Sequence, residues 1–291
     1  ASLTGCEAVL RRGAGLFDTI ALRSCSLALA RALPLAGLRE ACPAQLYVCG
    51  GESNGQYLGS LERMDLETGA WEALPSMRRA RTLAAAAPLG GSIYVCGGSD
   101  GVQVLSSVER FGVAGGCWQD LPPMLQRREG AAATAAGGRL LVLGGGDGAQ
   151  ILHSVEALEP EGDWGQWLFM QPMLRRRLHG AVVAMEGQVY ACGGNGGDAS
   201  LSSIERCALR RGGEWEALPN MLERRERFGM AAIGGQLYVC GGVSASGGGG
   251  EHPQVLGSVE RFVPSRGWEA LPCLPQRRHG VAAAAAGGRL F

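Results

Sequence analysis

The chain has 291 residues, with 27 Lys and Arg against 27 Asp and Glu, so no global field draws it to nucleic acid or to an anionic membrane, and any electrostatic function must be local. Glycine, at 48 residues, stands well above the usual share of about 7% and aromatics make up only 6%, which suits many short strands joined by tight turns. No uncharged apolar run approaches the roughly 20 residues that span a bilayer, and Asp18 and Arg23 interrupt the apolar stretch after Arg11 and Arg12 that a secretory leader would need, so a soluble cytoplasmic protein is expected.

In chain order, residues 1–43 come first and carry none of the landmarks that follow. Leu22, Leu29 and Leu33, with Cys25 and Ala36, give a partial helical stripe within Asp18 to Ala41, broken by Pro34, and predict a short capping or linker helix. Residues 44–291 form a second region. Its first elements are β-favouring runs beginning at Leu46, Ile93, Leu140, Val189 and Leu237, each stopped by a glycine pair. The pairs are Gly50-Gly51, Gly97-Gly98, Gly144-Gly145, Gly193-Gly194 and Gly241-Gly242.

After each pair comes a strand carrying Glu62, Glu109, Glu156, Glu205 or Glu260, then one carrying Trp71, Trp118, Trp167, Trp215 or Trp268. Six residues beyond each tryptophan stands Met77, Met124, Met173, Met221 or Leu274. From each methionine to the second glycine of the next pair is always 21 residues, a constancy that rigid packing explains. From Gly-Gly to Glu the spacing is 11 in four repeats and 18 in the fifth, where the glycine run Gly247 to Gly250 marks a surface loop. Small residues such as Gly130 to Ala136 precede each apolar run, as expected of a strand crowded near the axis of a radial array. These segments give four strands per unit, and each unit exposes apolar faces that only its neighbours can cover.

The 10 cysteines contain no C-x-x-C pair; Cys49, Cys96, Cys192 and Cys240 precede the glycine pairs and read as small buried hydrophobes in a reducing compartment.

These landmarks resemble the kelch repeat. Gly97-Gly-Ser-Asp-Gly with Leu105-Ser-Ser-Val-Glu-Arg-Phe and Leu121-Pro-Pro-Met is similar in particular to the BTB-kelch proteins. The resemblance implies an all-β, kelch-type β-propeller with five four-stranded blades visible, and truncation of a six-bladed parent, since Arg289-Leu-Phe stands where another strand would begin. Alternatively, Gly280 to Ala286 returns to supply the innermost strand of the first unit. The resemblance also implies a substrate-recruiting module of a cullin-type ubiquitin ligase, whose BTB and BACK domains would bind the cullin; residues 1–43 are too few for a BTB fold. The alternative is an actin-binding or cytoskeletal scaffold.

Strand order places the loop after Met and the loop after Gly-Gly at one edge. Four residues past each Met or Leu274 stands Arg81, Arg128, Arg177, Arg225 or Arg278, and these read as blade-supporting partners of the repeated glutamates. The preceding position holds Arg127, Arg176, Arg224 and Arg277, with Ala80 the exception, and suggests a positive rim for carboxylates or phosphates. By resemblance, pocket contacts map onto His179 and Arg227, with Leu83, Gly130 and Gly280 as blank counterparts, and onto Glu52, Asn54, Ser99, Asp100, Asp147, Asn195 and Asp198. Arg227 is the best single candidate. The expected partner is a protein segment that is acidic or phosphorylated. No phosphate-loop arrangement occurs, and His153, His179, His252 and His279 belong to separate blades or loops, so no catalysis, metal or cofactor is expected.

Overall fold

The computed structural model describes residues 19–22, 45–159, 165–209, 213–246, 253–286 and 289–290. Among them are strands only, arranged as a propeller of five four-stranded blades.

The first blade is β1 (Thr19–Leu22), β2 (Gln45–Cys49), β5 (Leu61–Asp65) and β6 (Trp71–Leu74), with a small hairpin of β3 (Glu52–Ser53) and β4 (Gln56–Tyr57) above it. The second is β7 (Ala85–Leu89), β8 (Ser92–Cys96), β9 (Val108–Gly112) and β10 (Cys117–Leu121). The third is β11 (Ala132–Ala136), β12 (Arg139–Leu143), β13 (Val155–Glu159) and β14 (Gln166–Met170), and the fourth is β15 (Ala181–Met185), β16 (Gln188–Cys192), β17 (Ile204–Ala208) and β18 (Trp215–Leu218). The fifth is β19 (Gly229–Ile233), β20 (Gln236–Cys240), β23 (Val259–Val263) and β24 (Gly267–Leu271), interrupted by the ribbon of β21 (Val243–Ser244) and β22 (Gln254–Val255). Ribbon and glycine run together account for the longer spacing read in that repeat. All pairings are antiparallel, and the innermost strands contact their neighbours around the axis.

Thr19–Leu22 lies within the span whose leucine spacing predicts a helix, yet it pairs with β2 in the register Thr19↔Val48 to Leu22↔Gln45. That corrects the helical reading at these four residues. The inner edge of β2 offers backbone groups that must be paired, and this tertiary demand outweighs a weak local preference. The rest of the expected helix falls outside the described residues. Nor does Gly280 to Ala286 complete the first blade: β25 (Ala285–Ala286) pairs with β26 (Arg289–Leu290), and this hairpin stands between β19 and β1, touching both.

The core sits between blades, as the apolar faces require. Tyr47, Cys49, Leu61 and Met77 of the first blade pack against Ile93, Val95, Phe111 and Trp118 of the second. Equivalent clusters follow around the ring, and Ala284 packs with Leu46 and Met64. Four of the five repeated tryptophans reach back to the preceding blade: Nε1 of Trp118 donates to the Pro75 carbonyl at 2.6 Å, Trp167 to Pro122 at 2.9 Å, Trp215 to Gln171 at 3.0 Å and Trp268 to Pro219 at 2.8 Å. Trp71 makes no such bond among the described residues and is 38% exposed.

Candidate functional site

The arginine positions separate by depth. Arg81, Arg128, Arg177 and Arg225 are buried and pair with the glutamate of the blade they lead into: Arg81 with Glu109 at 2.6 Å, Arg128 with Glu156 at 2.9 Å, Arg177 with Glu205 at 2.8 Å, and Arg225 with Glu260. Arg128 also donates to the Gly144 carbonyl at 2.7 Å and to Ser154, so the guanidinium fork is spent on the fold. The same carboxylates accept backbone N–H groups of the incoming loop, as Glu205 does from Leu174 at 2.6 Å. The glycine pair is part of this joint. Gly97 has φ +64°, and a Cβ there would lie 2.3 Å from the Arg128 carbonyl, so only glycine fits. Glu62, at the first blade, is exposed, and Arg278, at the last, is only half-buried.

Arg127, Arg176, Arg224 and Arg277 are exposed. Arg176 leans on the loop after β12, donating to Gln150 Oε1 at 3.1 Å and the Ile151 carbonyl at 2.7 Å. Isolated bridges Thr82↔Ser99, Glu129↔Gly146, Leu178↔Asn195 and Glu226↔Val243 join the loop after Met to the loop after Gly-Gly, so both lie at one edge, as strand order requires.

At the centre of that edge Leu83, Gly130, His179, Arg227 and Gly280 form a chain around the mouth of the axial channel. Each N–H donates to the preceding carbonyl, Gly130 to Leu83 at 2.8 Å, His179 to Gly130 at 2.8 Å, Arg227 to His179 at 3.0 Å and Gly280 to Arg227 at 2.8 Å. All five have φ between 54° and 63°. The backbone is the same at every step and only the side chain changes. Below lies a cavity of about 420 Å³ lined mostly by small residues of the innermost strands, and among the described residues its polar side chains are His179 and Arg227. Arg227 Nε donates to His179 Nδ1 at 3.3 Å, and burial, with the Arg227 charge second, holds His179 down at about 4.

The family model of the KLHDC2/KLHL20/DRC7 Kelch-repeats domain matches residues 41–242, and the Kelch motif model matches residues 224–275. The chain belongs to this kelch-repeat family. Among solved structures it is similar to that titled "Structure of YjhT", with a TM-score of 0.73 and 14% identity over 84% of this chain and 86% of that one, a likeness of fold alone. No curated protein matches.

Within this kelch edge the other candidates serve turns as well as surface. Asn54 and Gly55, at φ 51° and 77°, close the β3–β4 hairpin that begins at Glu52. Asp100 Oδ1 accepts from Val102 and Gln103 N–H, each at 3.0 Å, Asp147 Oδ1 from Ala149 and Gln150, each at 2.8 Å, and Asn195 Oδ1 from Gly197 at 2.8 Å. These backbone donors hold the Asp100 and Asp147 carboxyls below their ordinary range. Ser99 Oγ accepts from Gly101 at 3.2 Å, and Asp198 is exposed at a loop tip. Arg79 pairs with Asp100 at 3.9 Å. The edge thus carries both signs of charge, with only the Arg227–His179 pair inside the mouth. Among the described residues no three His, Cys, Asp or Glu side chains converge as a metal would need, and no helix is long and apolar enough to cross a membrane.

Sequence reading missed a second repeated constellation, a stripe across the middle of each blade. Tyr47↔Arg63↔Glu72, Tyr94↔Arg110↔Gln119, Tyr190↔Arg206↔Glu216 and Tyr238↔Arg261↔Glu269 stand opposite one another on three strands. In the third blade the stripe is Leu141↔Ala157↔Leu168, and Leu168 and Phe169 on β14 are exposed at 38% and 56%. The arginine that follows four of the five repeated glutamates was the available signal; its partner became evident only from register.

Proposed function

We propose that this kelch propeller binds a partner protein through the channel-mouth edge, taking an acidic or phosphorylated segment against Arg227, His179 and the exposed rim arginines. The observation that carries this reading is the division of labour among repeated residues. Four of the five repeated arginines, Arg81, Arg128, Arg177 and Arg225, are buried against glutamates, with their guanidinium groups engaged in the fold. Residues that differ from blade to blade converge on a common backbone ring at one edge, beside an apolar cavity, the usual form of a recognition site. Exposed Arg127, Arg176, Arg224 and Arg277 supply forks suited to bidentate contact with carboxylate or phosphate. Resemblance to BTB-kelch proteins would make such a partner a ubiquitylation substrate.

The test is affinity capture with the wild-type chain and with Arg127→Glu/Arg176→Glu/Arg224→Glu, at low and high salt. The expected result is a partner recovered by wild type, lost to the triple variant and weakened by salt. Equal recovery by both proteins would remove the rim from the binding surface.

A further inference from the structure

We propose that β14, the outer strand of the third blade, is a dimerisation edge on which a second copy of this chain docks its own β14, antiparallel and about a twofold axis at Leu168. This surface belongs to the outermost strand of a blade, away from the innermost strands that line the channel, and is independent of the binding edge proposed above.

Each blade ends in an outer strand that pairs on one side only. Such an edge is a template for another chain unless charge or a cover blunts it. Four of the outer strands carry an acidic residue paired with an arginine: Glu72 with Arg63, Asp120 with Arg78, Glu216 with Arg206 and Glu269 with Arg261. β14 reads Gln166-Trp-Leu-Phe-Met, without a charge, and its Leu168 and Phe169 are exposed.

The second blade has a cover that the third lacks. Arg78, just after Met77, pairs with Asp120 and also reaches the Trp118 carbonyl at 3.5 Å, so its guanidinium lies across the open edge of β10. One blade on, the same two positions hold Leu125 and Phe169. Leu125 N–H donates to Glu156 at 2.6 Å, and Glu156 stands opposite Phe169 on β13, so both exposed apolar side chains are at one place on the rim.

Backbone alternation shows which groups the edge offers. In the first blade Asp65 N–H donates to the Ala70 carbonyl at 3.0 Å, and Ala70 precedes Trp71 as Gln166 precedes Trp167. By the antiparallel pattern Gln166, Leu168 and Met170 then bond inward to β13, and the N–H and C=O groups of Trp167 and Phe169 face outward. Among the described residues no backbone group outside β13 pairs with them.

A second copy fits this edge because aromatic, leucine, aromatic reads the same in both directions, as a twofold contact requires. Centred on Leu168, antiparallel pairing sets Leu168 opposite Leu168, Trp167 opposite Phe169 and Gln166 opposite Met170, and the outward groups of Trp167 and Phe169 exchange bonds on both sides of the axis. The same pairing by β18 would set Glu216 against Glu216, and like charges directly opposite are unfavourable. Five residues a side make a contact at the small end of specific interfaces, below about 1,200 Å² in total, so the dimer is reversible rather than permanent.

The experiment is sedimentation equilibrium of the whole chain from micromolar to submillimolar concentration, beside Leu168→Glu and the double variant Leu125→Arg/Phe169→Asp, which installs the cover of the second blade. The expected result is a monomer–dimer equilibrium in the wild type, weakened by at least about tenfold in both variants, with unchanged far-UV circular dichroism. Leu168→Cys should also form an intermolecular disulfide under mild oxidation, since opposite residues at a non-bonded pair bring their Cα atoms to about 4.5 Å, while Glu216→Cys should not exceed the wild-type background. Association equal in the wild type and both variants, or crosslinking equal at positions 168 and 216, would overturn the proposal. So would a wild type that stays monomeric throughout, which would leave the edge to an extended segment of another protein. None of these outcomes bears on the channel mouth, whose partner is read by capture with the rim variant.

Discussion

Two tryptophans at the same place in the repeat should respond very differently to truncation. Trp167 is 4% exposed and donates to the Pro122 carbonyl at 2.9 Å, whereas Trp71 is 38% exposed without that bond. An aromatic side chain brings up to ~250 Å² to a packed seam, so the extra exposure of Trp71 amounts to ~80 Å². At ~25 cal/mol per Å² that is worth ~2 kcal/mol. The hydrogen bond adds ~1 kcal/mol. Trp167→Ala should then cost about 4–5 kcal/mol, in the range for a buried tryptophan, and Trp71→Ala about 1–2 kcal/mol. Urea unfolding followed by far-UV circular dichroism reads the difference as unequal midpoint shifts at similar slope. Equal midpoints in the two variants would mean that the seams beside the first and third blades are equally packed, and the account of inter-blade burial would fail.

The remaining predictions concern charge. Glu156→Gln leaves Arg128 buried without its counterion and should cost about 3–5 kcal/mol, while the same change at exposed Glu62 should stay within about 0.5 kcal/mol; matching losses in thermal or urea unfolding would refute the assignment of the buried pairs. His179 is held at about 4 when folded against 6.5 for the exposed group, so the unfolded chain takes up its proton first. Stability should therefore decline as pH falls from about 6.5 toward about 4 through this group, and His179→Gln should flatten that part of the curve. Identical slopes in the two proteins would show that His179 is not buried beside Arg227.

Landmark spacing made the blades legible because each is tied to a contact of fixed length. The run of 21 residues from Met to Gly-Gly spans the joint in which arginine, glutamate and glycine meet, and a single insertion would break several bonds at once. Pairing of the repeated arginines with the repeated glutamates was legible for the same reason. Thr19–Leu22 was not, since four residues carry too little pattern to compete with a leucine stripe, and only the open edge of β2 decides their conformation. At the candidate site, spacing located Arg227 and His179 but not their contact. That contact depends on a positive φ at both residues and on the emptiness of Gly130, a relation across 48 positions that no local pattern encodes. The turn roles of Asp100, Asp147 and Asn195 were hidden too, because an Asx turn and a ligand contact call for the same residue types.

The backbone of the mouth ring supports the proposal that binding falls there rather than on the repeated arginines. Gly130 and Gly280 adopt the left-handed conformation at no steric cost, whereas Leu83, His179 and Arg227 hold it against a penalty of about 1–2 kcal/mol each. Glycine at all five positions would keep the backbone bonds along the ring and lose only the Arg227–His179 side-chain bond. Side chains placed where they strain the backbone are candidates for a role in what the ring presents to the channel. At the third and fourth positions of the ring these are the imidazole and the guanidinium, joined to each other by the Arg227 Nε–His179 Nδ1 bond at the edge of the cavity.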